Sequence, residues 1–312
     1  MYLSFSLYSG ETNGKREMLA LKKWLFLCIV LLVIAFKIYQ KEMLPAKNPA
    51  IIEHAAEISA SGEDTITIRI DKKQIHKGNL ILVNKDYPVH TKGVANDIIE
   101  LSRHDELTQG FELLDRSIEL SRKVTERFSE LTAAAAEDGV DNFRISSGYR
   151  NQEEQGKLYR EKGADYALPA GYSEHNTGLS LDIGSSRGEI KDSPEGKWLR
   201  ANAWDYGFIL RYPEDKTNIT GIKYEAWHFR YVGLPHSLVM KEKNMVLEEY
   251  LADLKQRKRL GITVADRKYL MLYVPASQLG SVQVPAGHPY TVSGNNSDGV
   301  IVTVELSKWS TT

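Results

Sequence analysis

Apolar residues fall into several different rhythms along the chain. Residues 24–36 (WLFLCIVLLVIAF) form one unbroken apolar run. Residues 65–70 (TITIRI) alternate, which predicts a strand, and 79–83 (NLILV) and 143–147 are further short strand candidates. Between residues 117 and 137, Leu120, Val124, Phe128, Leu131 and Ala135 recur at intervals of three and four, so they share one face of a long amphipathic helix. Gly139 follows as its C-terminal cap. Asn151 with Glu154 is a capping-box variant that opens a second helix, which runs to Lys162 and stops at Gly163. Ser193 followed by Pro194 opens a third, which carries Trp198 and Trp204 and stops at Gly207. Residues 208–211 and 226–232 read as strands, and 246–258 as a helix with a basic last turn. Beyond Gly261 the pattern shortens to alternating runs at 269–274, 281–284, 290–292 and 300–304, parted by turn clusters such as 293–296 (SGNN).

Mixed helices and short strands of this kind predict an α+β protein, with a small β module from 261 to 312. A length of 312 residues allows about two domains. The apolar run lies between Lys15, Arg16, Lys22 and Lys23 on one side and Lys37 on the other, a membrane-targeting pattern. A cleaved signal peptide competes with an uncleaved anchor. The absence of a small-x-small site after the run favours the anchor. Residues 1–23 then stay cytoplasmic, 24–39 span the membrane, and everything beyond about residue 40 lies outside it. Met18 opens a more typical targeting sequence (MLALKKWLFL) than residues 1–17 do. Residues 40–63, with Pro45, Pro49 and scattered charges, suit a stalk, which leaves 64–260 as the main globular domain.

Charge and cysteine content narrow the function. Forty basic residues against 41 acidic ones give a net charge of -1, so no global field favours nucleic acid. The single cysteine, Cys28, excludes an intrachain disulfide framework and any Cys-rich zinc module. Any metal must sit on histidine and carboxylate. Of eight histidines, two keep suggestive company. His175 precedes Asp182 by seven positions across the turn-forming Asn176 to Gly178, so a loop running into a strand can point both side chains at one ion. His228 follows Glu225 by three. Two imidazoles and a carboxylate suit zinc with one position left open for water, and Glu225 is then available as the base. Positions three apart on a straight strand face opposite ways, so this requires a bend at Glu225 or a place in the preceding loop. Each spacing alone is a weak pattern, and a packed, hydrogen-bonded histidine is the plain alternative.

The segments SSGYR (146–150), YALPAGYSEHNTGLSLDIG (166–184), YGFILRYPEDKT (206–217) and EAWHFRYVGLPH (225–236) closely resemble the VanY-type D-alanyl-D-alanine carboxypeptidases, zinc enzymes of the D,D-peptidase and hedgehog fold. The likeness covers about residues 75–305. It implies an antiparallel sheet with flanking helices at 64–260, one Zn2+ held by His175, Asp182 and His228, and Glu225 as catalytic carboxylate. It also implies that Arg150 is the substrate arginine, stabilising an oxyanion or clamping a carboxylate, and that Gln155 and Ser173 contact the terminal residue of the peptide. Trp227 is a candidate pocket wall, with a core aromatic as the other reading.

The resemblance implies removal of the terminal D-alanine from peptidoglycan stem peptides ending in D-Ala-D-Ala, outside the membrane, with a part in glycopeptide (vancomycin) resistance. An L,D-carboxypeptidase acting on tetrapeptides uses the same zinc site with a differently shaped pocket. A D,D-dipeptidase suits a cytoplasmic location, which the anchor argues against. A non-catalytic wall-binding module is the reading from another class, and the presence of Glu225 argues against it.

Overall fold

The computed structural model describes residues 22–24, 28, 51–54, 64–163 and 167–306. The chain divides into two compact units, residues 1–46 and 47–312. Nearly all of the anchor expected at 24–39 lies outside the described residues, and among those described no helix is long and apolar enough to cross a membrane. The stalk expected at 40–63 is described only at Ile51–His54, which is a strand rather than a linker.

The second unit is built on two five-stranded sheets. One has the order Glu112–Leu113, Phe143–Ser147, Ser180–Ser185, His228–Tyr231, Phe208–Leu210, antiparallel except for its first pair. The helix Arg122–Glu137 packs on it. The Ser121 side chain accepts the Val124 N–H and caps the helix, and Val124, Phe128, Leu131 and Ala135 are fully buried, as their spacing requires. The Phe128 ring stands edge-on to Phe143 and Phe208 of the sheet. The helix begins at Arg122 and not at residue 117, because Glu119–Ser121 pairs with Ile98–Glu100 as a short ribbon. The capping box expected at Asn151 and Glu154 is present and opens the helix Gln152–Lys162.

The other sheet runs Ile51–His54, Arg259–Val264, Arg267–Pro275, Gly299–Leu306, Tyr290–Gly294, antiparallel throughout. Both of its faces are buried. On one, Ile301, Met271 and Ile262 pack with Tyr250 and Leu254 of the helix Leu247–Arg257 and with Leu80 and Leu82. On the other, Val300, Val302 and Val304 pack with Ile68, Ile70 and Ile75. Thr65–Arg69 also pairs with Ser281–Pro285. The C-terminal strands therefore share their cores with residues from both earlier parts of the chain, and the boundaries expected at 63/64 and 260/261 fall inside one compact unit.

Residues 79–83, expected as a strand, form no strand, although Leu80 to Val83 are buried. Their backbone is satisfied otherwise: Arg230 donates to the carbonyls of Asn79 and Ile81, Asn296 donates to that of Leu82, and the Leu82 N–H donates to the Asn295 carbonyl.

Candidate metal centre and active site

Three adjacent strands of the first sheet bring the site together. Asp182 lies opposite His228 in one register and opposite Ser147 in the other. His175 sits in the short 3-10 turn Glu174–Thr177, capped by Ser173, whose hydroxyl accepts the His175 N–H. Gly178 ends the turn at φ +75°, a left-handed conformation that favours glycine, and a Cβ there would run into Ile98 Cδ1, which would have to shift. Glu225 occupies the turn before the strand His228–Tyr231, whose first N–H donates to the Glu225 carbonyl. The bend that the Glu225 and His228 spacing demanded is thus present.

The donor atoms of His175, Asp182 and His228 lie within 4.8 Å of one another. His175 Nε2 and His228 Nδ1 are 3.4 and 3.1 Å from Asp182 Oδ1. A tetrahedral zinc with bonds of roughly 2.0–2.2 Å needs donor separations of roughly 3.3–3.5 Å, which the two distances to Asp182 approach, so the donor set suits that ion. Each imidazole has an acceptor behind it: His175 Nδ1 donates to the Gly148 carbonyl at 2.6 Å, and His228 Nε2 faces Glu174 Oε2 at 3.4 Å. Those partners leave Nε2 of His175 and Nδ1 of His228 as the lone-pair donors.

The electrostatics are those of two opposed carboxylates. Burial alone would raise Asp182, but His175 and His228 beside it hold its carboxyl far below the ordinary range. Glu225 moves the other way: burial raises it, with Asp182 and Glu174 adding to the rise while His228 and Arg150 oppose it. Glu225 Oε2 is 3.8 Å from His228 Nδ1, so a partly desolvated carboxylate stands at the edge of the metal position.

The remaining expected residues occupy different places. Arg150 is locked to the site through its backbone: its N–H donates to the His175 carbonyl, and its own carbonyl accepts from Asn176. Its charge lowers the pKa of both His175 and Glu225. Gln155 is buried and donates to the Leu168 carbonyl, while its Oε1 has no partner among the described residues. Trp227 is 44% exposed, which removes the core-aromatic reading and leaves its ring at the surface beside His228. Tyr212, not singled out in the sequence, places its ring 4.9 Å from that of His228. Glu174, Arg211 and Arg230, fully buried behind the site, were also missed. For the two arginines the one sequence signal is a charge beside or inside an apolar strand pattern, as in Phe229-Arg230-Tyr231; Glu174, in a polar turn, gives none.

A largely antiparallel sheet and its adjoining turns, carrying a His, Asp, His donor set with a carboxylate at its edge, suit a zinc-dependent metallopeptidase. Residues 117–234 match the family model described as VanY, D-alanyl-D-alanine carboxypeptidase. A D-alanyl-D-alanine carboxypeptidase of Enterococcus faecium is 54% identical over 258 residues, covering 83% of this chain and 84% of its own. The bifunctional D-Ala-D-Ala dipeptidase and D-Ala-D-Ala carboxypeptidase VanXYC of Enterococcus gallinarum is 41% identical over 154 residues, 44% of this chain and 79% of its own. Among solved structures, the vancomycin resistance D,D-dipeptidase VanXYg in complex with a D-Ala-D-Ala phosphinate analog superposes with a TM-score of 0.67 at 31% identity, covering 78% of this chain and all of the other. The chain belongs to the VanY family of D-alanyl-D-alanine carboxypeptidases.

Proposed function

We propose that the chain is a membrane-tethered, extracytoplasmic D,D-carboxypeptidase that removes the terminal D-alanine from peptidoglycan stem pentapeptides ending in D-Ala-D-Ala. The observation that carries this reading is Glu225 at the edge of the His175, Asp182 and His228 donor set, in a member of this family. Zinc, when bound, supplies Lewis acidity, bringing the pKa of water toward 7 and polarising a carbonyl oxygen. Glu225 takes the proton of the attacking water and returns it to the departing D-alanine nitrogen, its carboxylate standing 3.8 Å from His228 Nδ1. Arg150 brings positive charge to the oxygen that becomes negative during attack, or to the terminal carboxylate of the peptide. Ser173 holds the turn that carries His175, and Gln155 holds the 168 loop from below, leaving Gln155 Oε1 for the terminal residue of the peptide. Trp227 walls the entrance.

The apolar run 24–36 with its basic leading flank supports tethering with the second unit outside. Trimming D-Ala-D-Ala ends removes the target of glycopeptide antibiotics, which supports a role in vancomycin resistance. The match to all of VanXYg, over 78% of this chain, supports a second activity on the free dipeptide D-Ala-D-Ala, against which the expected anchor counts.

The test is D-alanine release by the purified chain from pentapeptide, tetrapeptide and D-Ala-D-Ala. One D-alanine should leave each pentapeptide, chelator should abolish release, and β-lactams should leave it unchanged, since no serine nucleophile takes part. Glu225→Gln should lower kcat/KM by about 10²–10⁴-fold while zinc content stays the same. Release from tetrapeptide alone would make the enzyme an L,D-carboxypeptidase, cleavage of the dipeptide would add the second activity, and silence on all three would make the chain a binding module.

A further inference from the structure

Glu174 is an anomaly that the proposed reaction does not use: a carboxylate with no solvent exposure, directly preceding His175 in sequence. A buried carboxylate is costly unless it is paired and hydrogen-bonded, and this one is both. Its two oxygens are divided between different tasks. Oε1 accepts from Arg211 Nε at 2.9 Å and from Arg230 Nη1 at 2.8 Å. Oε2 accepts from the Ser180 hydroxyl at 3.1 Å and faces His228 Nε2 at 3.4 Å.

A carboxylate present only to neutralise two guanidiniums would offer a fork to one of them. Here that fork comes from elsewhere. Arg211 turns its two terminal nitrogens to Glu248 of the helix Leu247–Arg257, at 2.9 and 2.7 Å, while Arg230 spends its Nη2 on the carbonyls of Asn79 and Ile81. Both arginines thus meet Glu174 through one oxygen, and the other is left for the imidazole.

We propose that Glu174 is a positioning residue of the metal centre, holding the Nε2–H of His228 so that Nδ1 presents its lone pair beside Asp182 and His175. The two imidazoles are then oriented unequally. His175 rests on the neutral Gly148 carbonyl, whereas His228 rests on a charged carboxylate, which makes it the more basic and stronger donor. Arg211 and Arg230 hold Glu174 Oε1 in place, and Ser180, two residues before Asp182 on the same strand, fixes the oxygen that meets the ring.

The inference rests on zinc being held by His175, Asp182 and His228, and the experiment separates the two. The full-length chain is stripped of metal and titrated with zinc against a chromophoric chelator, and the visible spectrum of the cobalt(II) form is recorded. The variants are Glu174→Gln, Glu174→Asp, Glu248→Gln and His228→Ala. Glu174→Asp keeps a charge beside both arginines but withdraws it from His228, so it answers the question even where Glu174→Gln does not fold. Both Glu174 variants should bind zinc 10–100-fold more weakly and shift the cobalt spectrum. Glu248→Gln, which strips only the outer end of the network, should lower Tm and leave zinc affinity and spectrum unchanged. Glu174 variants that lose Tm but keep wild-type zinc affinity and spectrum would overturn the proposal alone. Zinc binding that survives His228→Ala intact would overturn the metal site beneath it.

Discussion

Between His175 and Asp182 the chain turns from a 3-10 helix into a strand, and Gly178 is the residue on which it pivots. Gly178→Ala adds both a left-handed backbone penalty and a contact with Ile98 Cδ1 that must move, so a loss of about 1–3 kcal/mol is expected in the metal-free protein. Zinc affinity should fall with it, since the turn carries His175; thermal melts with a zinc titration check both, and unchanged values would show that the turn tolerates a side chain. His175, Asp182, Glu225 and His228 were legible only when two weak, short spacings were taken together with the resemblance of the segments around them to the VanY-type enzymes. Glu174, Arg211, Arg230 and Glu248 were not, because the ion pairs among them span 37 to 56 residues and only the packing of a turn, two strand segments and a helix brings them together. As an isolated letter, Glu174 reads as an ordinary acidic residue in a turn.

At the level of elements, local rules served well where neighbours in sequence satisfy one another. The Asn151 and Glu154 capping box needs nothing beyond its own turn, and it is present as expected. The stripe on Arg122–Glu137 is buried as its period required, but the first turn expected for that helix is given over to strand pairing. Residues 79–83 show the reverse case: an apolar run that reads as a strand finds Arg230 and Asn296 as its partners and never joins a sheet. The weight of the stripe can be measured. Phe128 is fully buried against Phe111, Phe143 and Phe208, and Phe128→Ala should cost about 3–5 kcal/mol in denaturant unfolding. A cost below about 1 kcal/mol would mean that the helix does not anchor the catalytic sheet.

Across the whole second unit, the C-terminal strands looked like a module because their rhythm changes at Gly261, yet burial on both faces of that sheet makes them part of the core. Ending the chain at residue 260 should therefore abolish cooperative unfolding, and a fragment that still melted as one sharp transition would restore the separate module. A second consequence concerns acid. His236 sits between Tyr250 Oη at 2.7 Å and Thr303 Oγ1 at 3.1 Å, and burial pushes its pKa from 6.5 down to about 3. Between those values the unfolded chain binds a proton that the folded one does not, so stability falls as pH falls, by at most ~1.4 kcal/mol per pH unit. Stability curves from pH 7 to pH 4 should be steeper for the wild type than for His236→Gln, and equal slopes would remove His236 as the cause. Finally, the strand Ile51–His54 is the entry of the chain into this unit, and it is zipped to Arg259–Val264 rather than to the sheet that carries His175, Asp182 and His228. Ile51–His54 is held there by the inter-strand bonds and by the ion pairs of Glu53 with Lys243 and Arg257, at the edge of a different sheet. Fraying of that strand would therefore open an edge of the C-terminal sheet before it reached the strands that hold Asp182 and His228.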